Sequence, residues 1–456
     1  MHRRAAMRVL DMTHGKTISL LLRFSLPLFL GNLLQQLYNL ADTSIAGNLL
    51  GDAALAQIGA TAALYTLITN AAFGLNNGLG LTVSRSFGAG DDKRMRQSVC
   101  WMVELSVLSA LILTAAFLLF RKGIVSAMKI PADTVDGALQ YLTVILAGIP
   151  FTMLYNLGSA LLQAVGNSVM PLLFLLFSSL LNVGLDLLLM GPLAMGVRGA
   201  AIATIVSQAV SAALSGGYIL KNYPELRFSG EDHSLGRKHA PGMLWAGISM
   251  ALMSAIYNIG GVILQGSINA LGNAYIAAQV GARRLAEFFY MPGGSVATAM
   301  ATFAGQNYGA GKRSRIAEAV RTAILLYGAW WLVSLAVTLL AAPAAVHAIT
   351  GSESEEVIRS AVLYLKINVP MIPPMAVLVI LRSTLQGMRH TVAPLLCSSL
   401  ELIGKVIFAL WIVPVRGYMV VCVCEPILWV ICCVFILAAA FMWRKDFRDE
   451  KEGEGI

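Results

Sequence analysis

The feature that most constrains this chain is its series of long apolar runs. The first begins near Ile18 and ends near Gly47, and Asp42 is the only formally charged side chain between Arg23 and Asp52. A run of about 20 apolar residues crosses a bilayer as a helix. Twelve candidate spans follow one another, at 18–47, 53–84, 95–120, 134–163, 169–192, 196–220, 243–270, 274–305, 315–342, 355–385, 391–413 and 417–443. Several exceed the crossing length, so tilt or protrusion is expected. Composition agrees. Of 456 residues, 57% are hydrophobic and 12% charged, whereas a soluble domain averages about 25% charged. The expected fold is an all-α polytopic membrane protein.

The net charge of +9 could suggest nucleic acid, but the basic residues fall in short loops between spans, which is a topology signal. One side collects the arm before the first span, Lys93, Arg94, Arg96, Lys221, Arg227, Arg237, Lys238, Lys312, Arg313, Arg315, Arg389, Arg444, Lys445, Arg448 and Lys451. The other side holds mainly Arg121, Lys122, Lys129, Arg198 and Arg416. The rule puts both termini in the cytoplasm, in a cell membrane crossed many times. The expected organisation is a basic arm at 1–16, a first lobe at 17–220, a cytoplasmic linker at 221–241, a second lobe at 242–443 and a tail at 444–456.

The halves repeat. At one common shift, Gly51-Asp52-Ala53 matches Gly272-Asn273-Ala274, and Phe87-Gly88-Ala89-Gly90 matches Tyr308-Gly309-Ala310-Gly311. At a slightly longer shift, Leu162-Gln163 and Pro171-Leu172-Leu173 match Leu385-Gln386 and Pro394-Leu395-Leu396. At a slightly shorter one, Val197-Arg198-Gly199 matches Val415-Arg416-Gly417. Six spans per repeat is even, so both halves enter from the same side. The expected relation is a pseudo-two-fold axis along the membrane normal.

Asp42 is the first candidate for chemistry. It lies roughly 25–30 Å along a helix from Arg23, and a carboxylate at membrane depth usually faces a cavity or partner and serves a pathway. Capping at the far interface is the plainer alternative. The second candidate is Asn182-Val-Gly-Leu-Asp186, whose two polar residues share one helix face at a spacing of four. Thr204 in the next span can add a hydroxyl. Two carboxylates, an amide and a hydroxyl are hard oxygen ligands that suit H+ or Na+ rather than a transition metal. Alone, Asn182 and Asp186 could equally be a helix–helix hydrogen-bond pair. The repeat does not copy this set: Ile263 stands where Asp42 does, Lys405 where Asn182 does and Ala409 where Asp186 does. The second half carries its own charges. Arg283 and Arg284 precede Glu287 by four and three positions, and Glu401 precedes Lys405 by four, so each set can pair on its own helix. Lys366, Arg382 and Glu425 are expected nearer span ends. Pro27, inside the first span, removes a helix hydrogen bond and allows bending.

Other chemistries find little support. The six cysteines, Cys100, Cys397, Cys422, Cys424, Cys432 and Cys433, read as small core residues. The histidines His2, His14, His233, His239, His347 and His390 lie at termini, linkers or span ends, so no metal site and no cofactor is expected. Gly305-Gln306-Asn307-Tyr308-Gly309-Ala310-Gly311-Lys312 lacks the hydroxyl and glycine spacing of a phosphate loop and reads as a tight turn. An intramembrane aspartyl protease is a remote alternative, because Asp42 follows Ala41 and Asp186 follows Leu185 rather than Tyr-Asp and Gly-x-Gly-Asp. No catalytic residue is assigned.

Taken together, the Leu37–Gly47 stretch, the Gly-Gln-Asn-Tyr-Gly-Ala-Gly turn at 305–311 and the Val-Arg-Gly of spans 6 and 12 resemble the multidrug and toxic compound extrusion (MATE) family, along essentially the whole chain. The acidic residue of span 1 is similar to that of the DinF-like branch. The resemblance implies an N-lobe cation site at Asp42, Asn182, Asp186 and Thr204, and a bending role for Pro27. The NorM-like branch carries a Glu in span 7, where this chain has Tyr257. The implied activity is export of lipophilic, often cationic compounds in exchange for H+ or Na+, by a monomer among membrane lipids. A lipid-linked oligosaccharide flippase of the same superfamily is the competing reading, and a basic central cavity would favour it.

Overall fold

A computed structural model describes residues 10–128, 130–131 and 134–449. Arg3, Arg4, Arg8, His2, Lys129, Asp133 and Lys451 lie outside the described residues. Within them the chain is helical, with no strand. The first half holds α1 (Thr17–Leu50), α2 (Asp52–Ala89), α3 (Asp92–Ala127), α4 (Val135–Ala147), α5 (Ile149–Ala164), α6 (Val169–Met190) and α7 (Val197–Asn222). A short helix α8 (Gly230–Gly236) lies in the linker. The second half holds α9 (Ala240–Asn269), α10 (Asn273–Gly309), α11 (Arg313–Thr350), α12 (Glu355–Asn368), α13 (Ile372–Gly387), α14 (Val392–Ile407), α15 (Val413–Arg416) and α16 (Tyr418–Met442). Ten spans are each long and apolar enough to cross a membrane, counting α12 with α13 and α14 with α15 as single spans. The pair α4 and α5 makes an eleventh, bent by 46°. The twelfth expected span is α10, long enough at 37 residues but less apolar because it carries Arg283, Arg284 and Glu287.

The internal repeat is visible in the backbone. Gly51 and Gly272, Gly90 and Gly311, and Gly196 and Gly417 all have positive φ, and the three pairs share a single spacing along the chain. These are turns that only glycine enters without strain. The last pair corrects the register expected from sequence. Gly196 (φ 60, ψ −147) and Gly417 (φ 69, ψ −157) begin α7 and α16 in the same conformation. The Val-Arg-Gly match, which aligns Gly199 with Gly417, is therefore out of step with the structural repeat. The bend at Gly148 has its counterpart by the same spacing at Val369, where a 3-10 turn separates α12 from α13.

Broken helices leave carbonyls that lipid cannot satisfy. Pro426 lacks the N–H that Cys422 would accept, and Asn368 Nδ2 donates to the Cys422 carbonyl instead, at 2.9 Å. In α10, one residue past the Phe288 carbonyl that Pro292 leaves without a partner N–H, the Phe289 carbonyl accepts from Trp330 Nε1 at 3.0 Å. At the break after α12, Val369 accepts from Trp331 Nε1, also at 3.0 Å.

The chain forms two compact units. The first comprises Leu26–Ala251 with Leu10 and Asp11, and the second comprises Met12–Ser25 and the chain from Leu252 onward. In this division the start of α1 groups with the second half and the start of α9 with the first. The reasons are local. Met12 N–H donates to Gln306 Oε1 at 2.9 Å, Asn307 Nδ2 donates to the Met12 carbonyl at 3.0 Å, and Arg315 donates to Gly15 at 2.9 Å. The Gln-Asn of the 305–311 motif thus ends α10 and clamps the segment before α1, while the turn itself is confined to residues 310–312. In the first unit, Gly78 of α2 meets the backbone of α9 so closely that an added Cβ would stand 2.7 Å from Gly247 Cα. The passage from one unit to the other in α1 falls at Ser25 and Leu26, beside Pro27.

Candidate ion site and the charged core of the second unit

In the first unit, α1, α6 and α7 bring the expected polar residues together. Asp186 is fully buried, Asn182 is 1% exposed and Thr204 4%, and Asp42 is half-buried. Oriented to satisfy its neighbours, the Asn182 amide donates to Asp186 Oδ2 at 2.7 Å and accepts from the Thr204 backbone N–H at 3.1 Å. Asp42 and Asp186 face each other within hydrogen-bonding reach. Two bare carboxylates at such a distance repel each other, and a shared proton or cation would relieve that repulsion. Each also keeps one buried oxygen, Oδ1, without a donor from the protein. Buried polar atoms are normally satisfied, and orphan carboxylate oxygens fit a proton or a hard cation such as Na+.

Sequence reasoning missed the phenols and the amide around this set. Tyr38 of α1 hydrogen-bonds to the Thr204 hydroxyl. Tyr65 of α2 accepts from Gln208 Nε2 at 3.4 Å, and Thr152 of α5 donates to Gln208 Oε1. Tyr141 of α4 lies within electrostatic reach of both carboxyls. Two of these could have been found: Tyr38 precedes Asp42 by four positions and Gln208 follows Thr204 by four, so each shares a helix face with an assigned residue.

The second unit gathers its charges differently from the sequence expectation. Glu425 does not sit at a span end. It is 5% exposed and forms the hub of a buried network. Arg283 Nη1 lies 3.1 Å from Glu425 Oε1, Lys405 Nζ lies 3.8 Å from the same oxygen, and Tyr364 OH donates to Oε2 at 2.8 Å. Lys405 pairs with Glu401 at 3.0 Å, as the spacing of four predicts, and Arg382 reaches Glu401 at 3.9 Å. The expected Arg283–Glu287 pair is the weaker contact, at 3.9 Å. Arg284 is exposed. A charge buried in apolar surroundings needs opposite charge and hydrogen bonds to offset desolvation, and Glu425 has two cations and a phenol. Beside this network lies a cavity of about 300 Å³ lined by Tyr257, Asn258, Gln265, Arg283, Glu287 and Lys405. Lys405 Nζ stands 4.8 Å over the Tyr257 ring.

The family model described as MatE matches residues 27–188 and 249–411. The chain is 30% identical over 311 residues to the probable multidrug resistance protein YpnP of Bacillus subtilis (strain 168), a match covering 68% of this chain and 69% of that one. Among solved structures, a crystal structure of MATE in complex with MaL6 superposes with a TM-score of 0.88 at 22% identity, covering 97% of this chain and 99% of that one. A crystal structure of MATE in the bent conformation gives a TM-score of 0.88 at 22% identity, covering 97% and 98%. At that identity the structural likeness speaks for the fold alone.

Proposed function

This chain belongs to the MATE family of multidrug efflux transporters, and from that premise we propose that it is a secondary antiporter exporting lipophilic, cationic compounds in exchange for H+ or Na+. It is a multi-pass membrane transporter of small molecules and not an enzyme, so the aspartyl-protease alternative falls away. The observation that carries the antiport reading is the Asp42–Asp186 pair, two carboxyls on different helices at hydrogen-bonding reach, each with an orphan buried oxygen. In this reading Asp42 and Asp186 hold the coupling ion, Asn182 and Thr204 fix the Asp186 side of the site, and Pro27 lets α1 bend. The protein would work as a monomer in the cell membrane, with both termini in the cytoplasm, by alternating access.

The flippase reading is less well supported. It asks for uncompensated basic residues, whereas Arg283 and Lys405 lean on Glu425, and Lys405 and Arg382 lean on Glu401. The deciding experiment is dye efflux from proteoliposomes with an imposed ΔpH or ΔNa+, each collapsed separately. Efflux that follows one gradient and is lost in Asp42→Asn supports the antiporter. Efflux indifferent to both gradients would rule it out.

A further inference from the structure

The linker between the halves is not idle. Its helix α8 is set by a capping box, in which Ser229 N–H donates to Asp232 Oδ2 at 2.8 Å, and it lays His233 against α3. There His233 Nδ1 stands 2.7 Å from Glu104 Oε1 and 2.8 Å from Oε2. One helical turn earlier on α3, the Cys100 thiol donates to Glu104 Oε1 at 3.3 Å. One ligand atom from each of these three side chains falls within 4.8 Å of the others. Sequence alone suggested no metal site, because Cys100 lies in a span and His233 in a polar linker far along the chain. The fold joins them.

We infer that Cys100, Glu104 and His233 form a binding site for a divalent transition-metal cation, with Zn2+ the best match. Thiolate, imidazole and carboxylate are the donors zinc takes. With bonds of about 2.0–2.3 Å in a tetrahedron, neighbouring donors stand about 3.3–3.6 Å apart. The Cys100–Glu104 separation of 3.3 Å already meets that. The carboxylate must turn from the imidazole by about half an ångström to meet it as well, and the thiol and imidazole, which lie within 4.8 Å of each other, must close to the same range. Charge also balances. The thiol proton leaves to solvent, and the thiolate and carboxylate cancel the charge of the cation, so the occupied site carries no net charge at the edge of an apolar span. The imidazole binds neutral.

The surroundings hold the donors in place, as outer partners of metal ligands do. Trp101 stacks on the His233 ring at 4.8 Å and donates its indole N–H to the His233 carbonyl at 3.0 Å. Arg96 lies 3.9 Å from Asp232, the residue before the histidine. Access is uneven: Cys100 is buried at 2% exposure, but the His233 and Glu104 side chains are 49% and 37% exposed. Three protein ligands with one side open leave a fourth position for water. A bound cation would staple the linker to α3.

The test uses the full chain, purified in detergent and stripped with a chelator. Zn2+ is titrated against a chromogenic chelator, and Co2+ is titrated for the thiolate-to-cobalt charge-transfer band. One Zn2+ per chain is expected, with the band present. Cys100→Ser and His233→Gln should each weaken Zn2+ binding at least tenfold, and Cys100→Ser should abolish the band. Cys422→Ser, in the other unit, should change neither. His233→Gln gives up the contacts to Trp101 and Glu104 but alters a half-exposed side chain, so its unliganded melting temperature should fall by no more than a few degrees and exclude misfolding as the cause. Absence of stoichiometric Zn2+ binding, or equal binding by the parent, Cys100→Ser and His233→Gln proteins, would overturn the site and leave the three residues as a hydrogen-bonded clasp.

Discussion

Single residues in this protein gain their meaning from what surrounds them. Asp42, Asn182 and Asp186 were legible in the sequence because each is a polar island in an apolar run, and such islands are expensive unless used. Glu425 is as buried and as charged, yet its sequence context points to a span end. Its partners lie on other helices, Arg283 on α10, Lys405 on α14 and Tyr364 on α12. Neighbour rules along one helix pointed Arg283 to Glu287 instead. The consequence is testable. Arg283→Ala leaves Glu425 buried with one distant cation and a phenol, and removing one partner of a buried pair costs about 3–5 kcal/mol. Glu287→Ala removes only a 3.9 Å contact from a half-exposed carboxylate and should cost well under about 1 kcal/mol. Thermal melting in detergent should therefore drop sharply for the first and barely for the second. Equal losses would return the structural role to the Arg283–Glu287 pair.

Helices here are defined as much by their breaks as by their apolar faces. The carbonyl of Cys422 is released by Pro426 and recaptured by Asn368 across to α12. Asn368→Ala should orphan it and destabilise the chain by about 1–3 kcal/mol. Pro426→Ala restores a backbone N–H to that carbonyl, so Asn368→Ala should cost less in the Pro426→Ala background. A double-mutant cycle reads the difference directly. Simple additivity would show that the carbonyl finds another donor. A second element-scale case is Arg389, whose φ of 78 puts a non-glycine residue in the left-handed region, at the place in the second repeat where Gly166 stands in the first with φ 87. Arg389→Gly should stabilise the turn by about 1 kcal/mol, seen as a raised melting temperature. An unchanged or lowered value would mean the arginine side chain offsets the strain. Both cases show what sequence matching conveys. Identical residues marked the repeat, but its register at α7 and α16 was fixed by glycines at positive φ. The Val-Arg-Gly likeness pointed to Gly199, whereas the turn belongs to Gly196.

At the scale of the whole molecule the antiport reading asks how an ion and a drug would share one transporter. We propose that they compete through the carboxyl pair of the first unit. A free Asp42–Asp186 pair attracts a lipophilic cation, and a protonated or Na+-loaded pair attracts it far less. Linkage then makes the effect reciprocal: if the ion weakens drug binding by some factor, the drug weakens ion binding by the same factor. Every ~1.4 kcal/mol of differential affinity shifts the balance tenfold. The sign follows from the competition. Lowering the pH in a proton-coupled protein, or raising Na+ in a sodium-coupled one, should reduce affinity for a cationic dye. Pro27 enters here because it stands where α1 passes from one unit to the other. Bending there would connect ion occupancy of Asp42 to movement of the helix that carries it. The measurement is fluorescence titration of the purified protein with a cationic dye across pH and across Na+, in the parent, Asp42→Asn and Pro27→Ala proteins. The parent should show ion-dependent affinity, and Asp42→Asn should lose that dependence while remaining folded. Pro27→Ala should keep the dependence in binding but lose export from vesicles. Dye affinity independent of both ions in the parent would end the competition model. An ion dependence that survives Asp42→Asn would move the coupling site to another carboxylate, with Asp186 the first to replace and Glu287 and Glu401 after it.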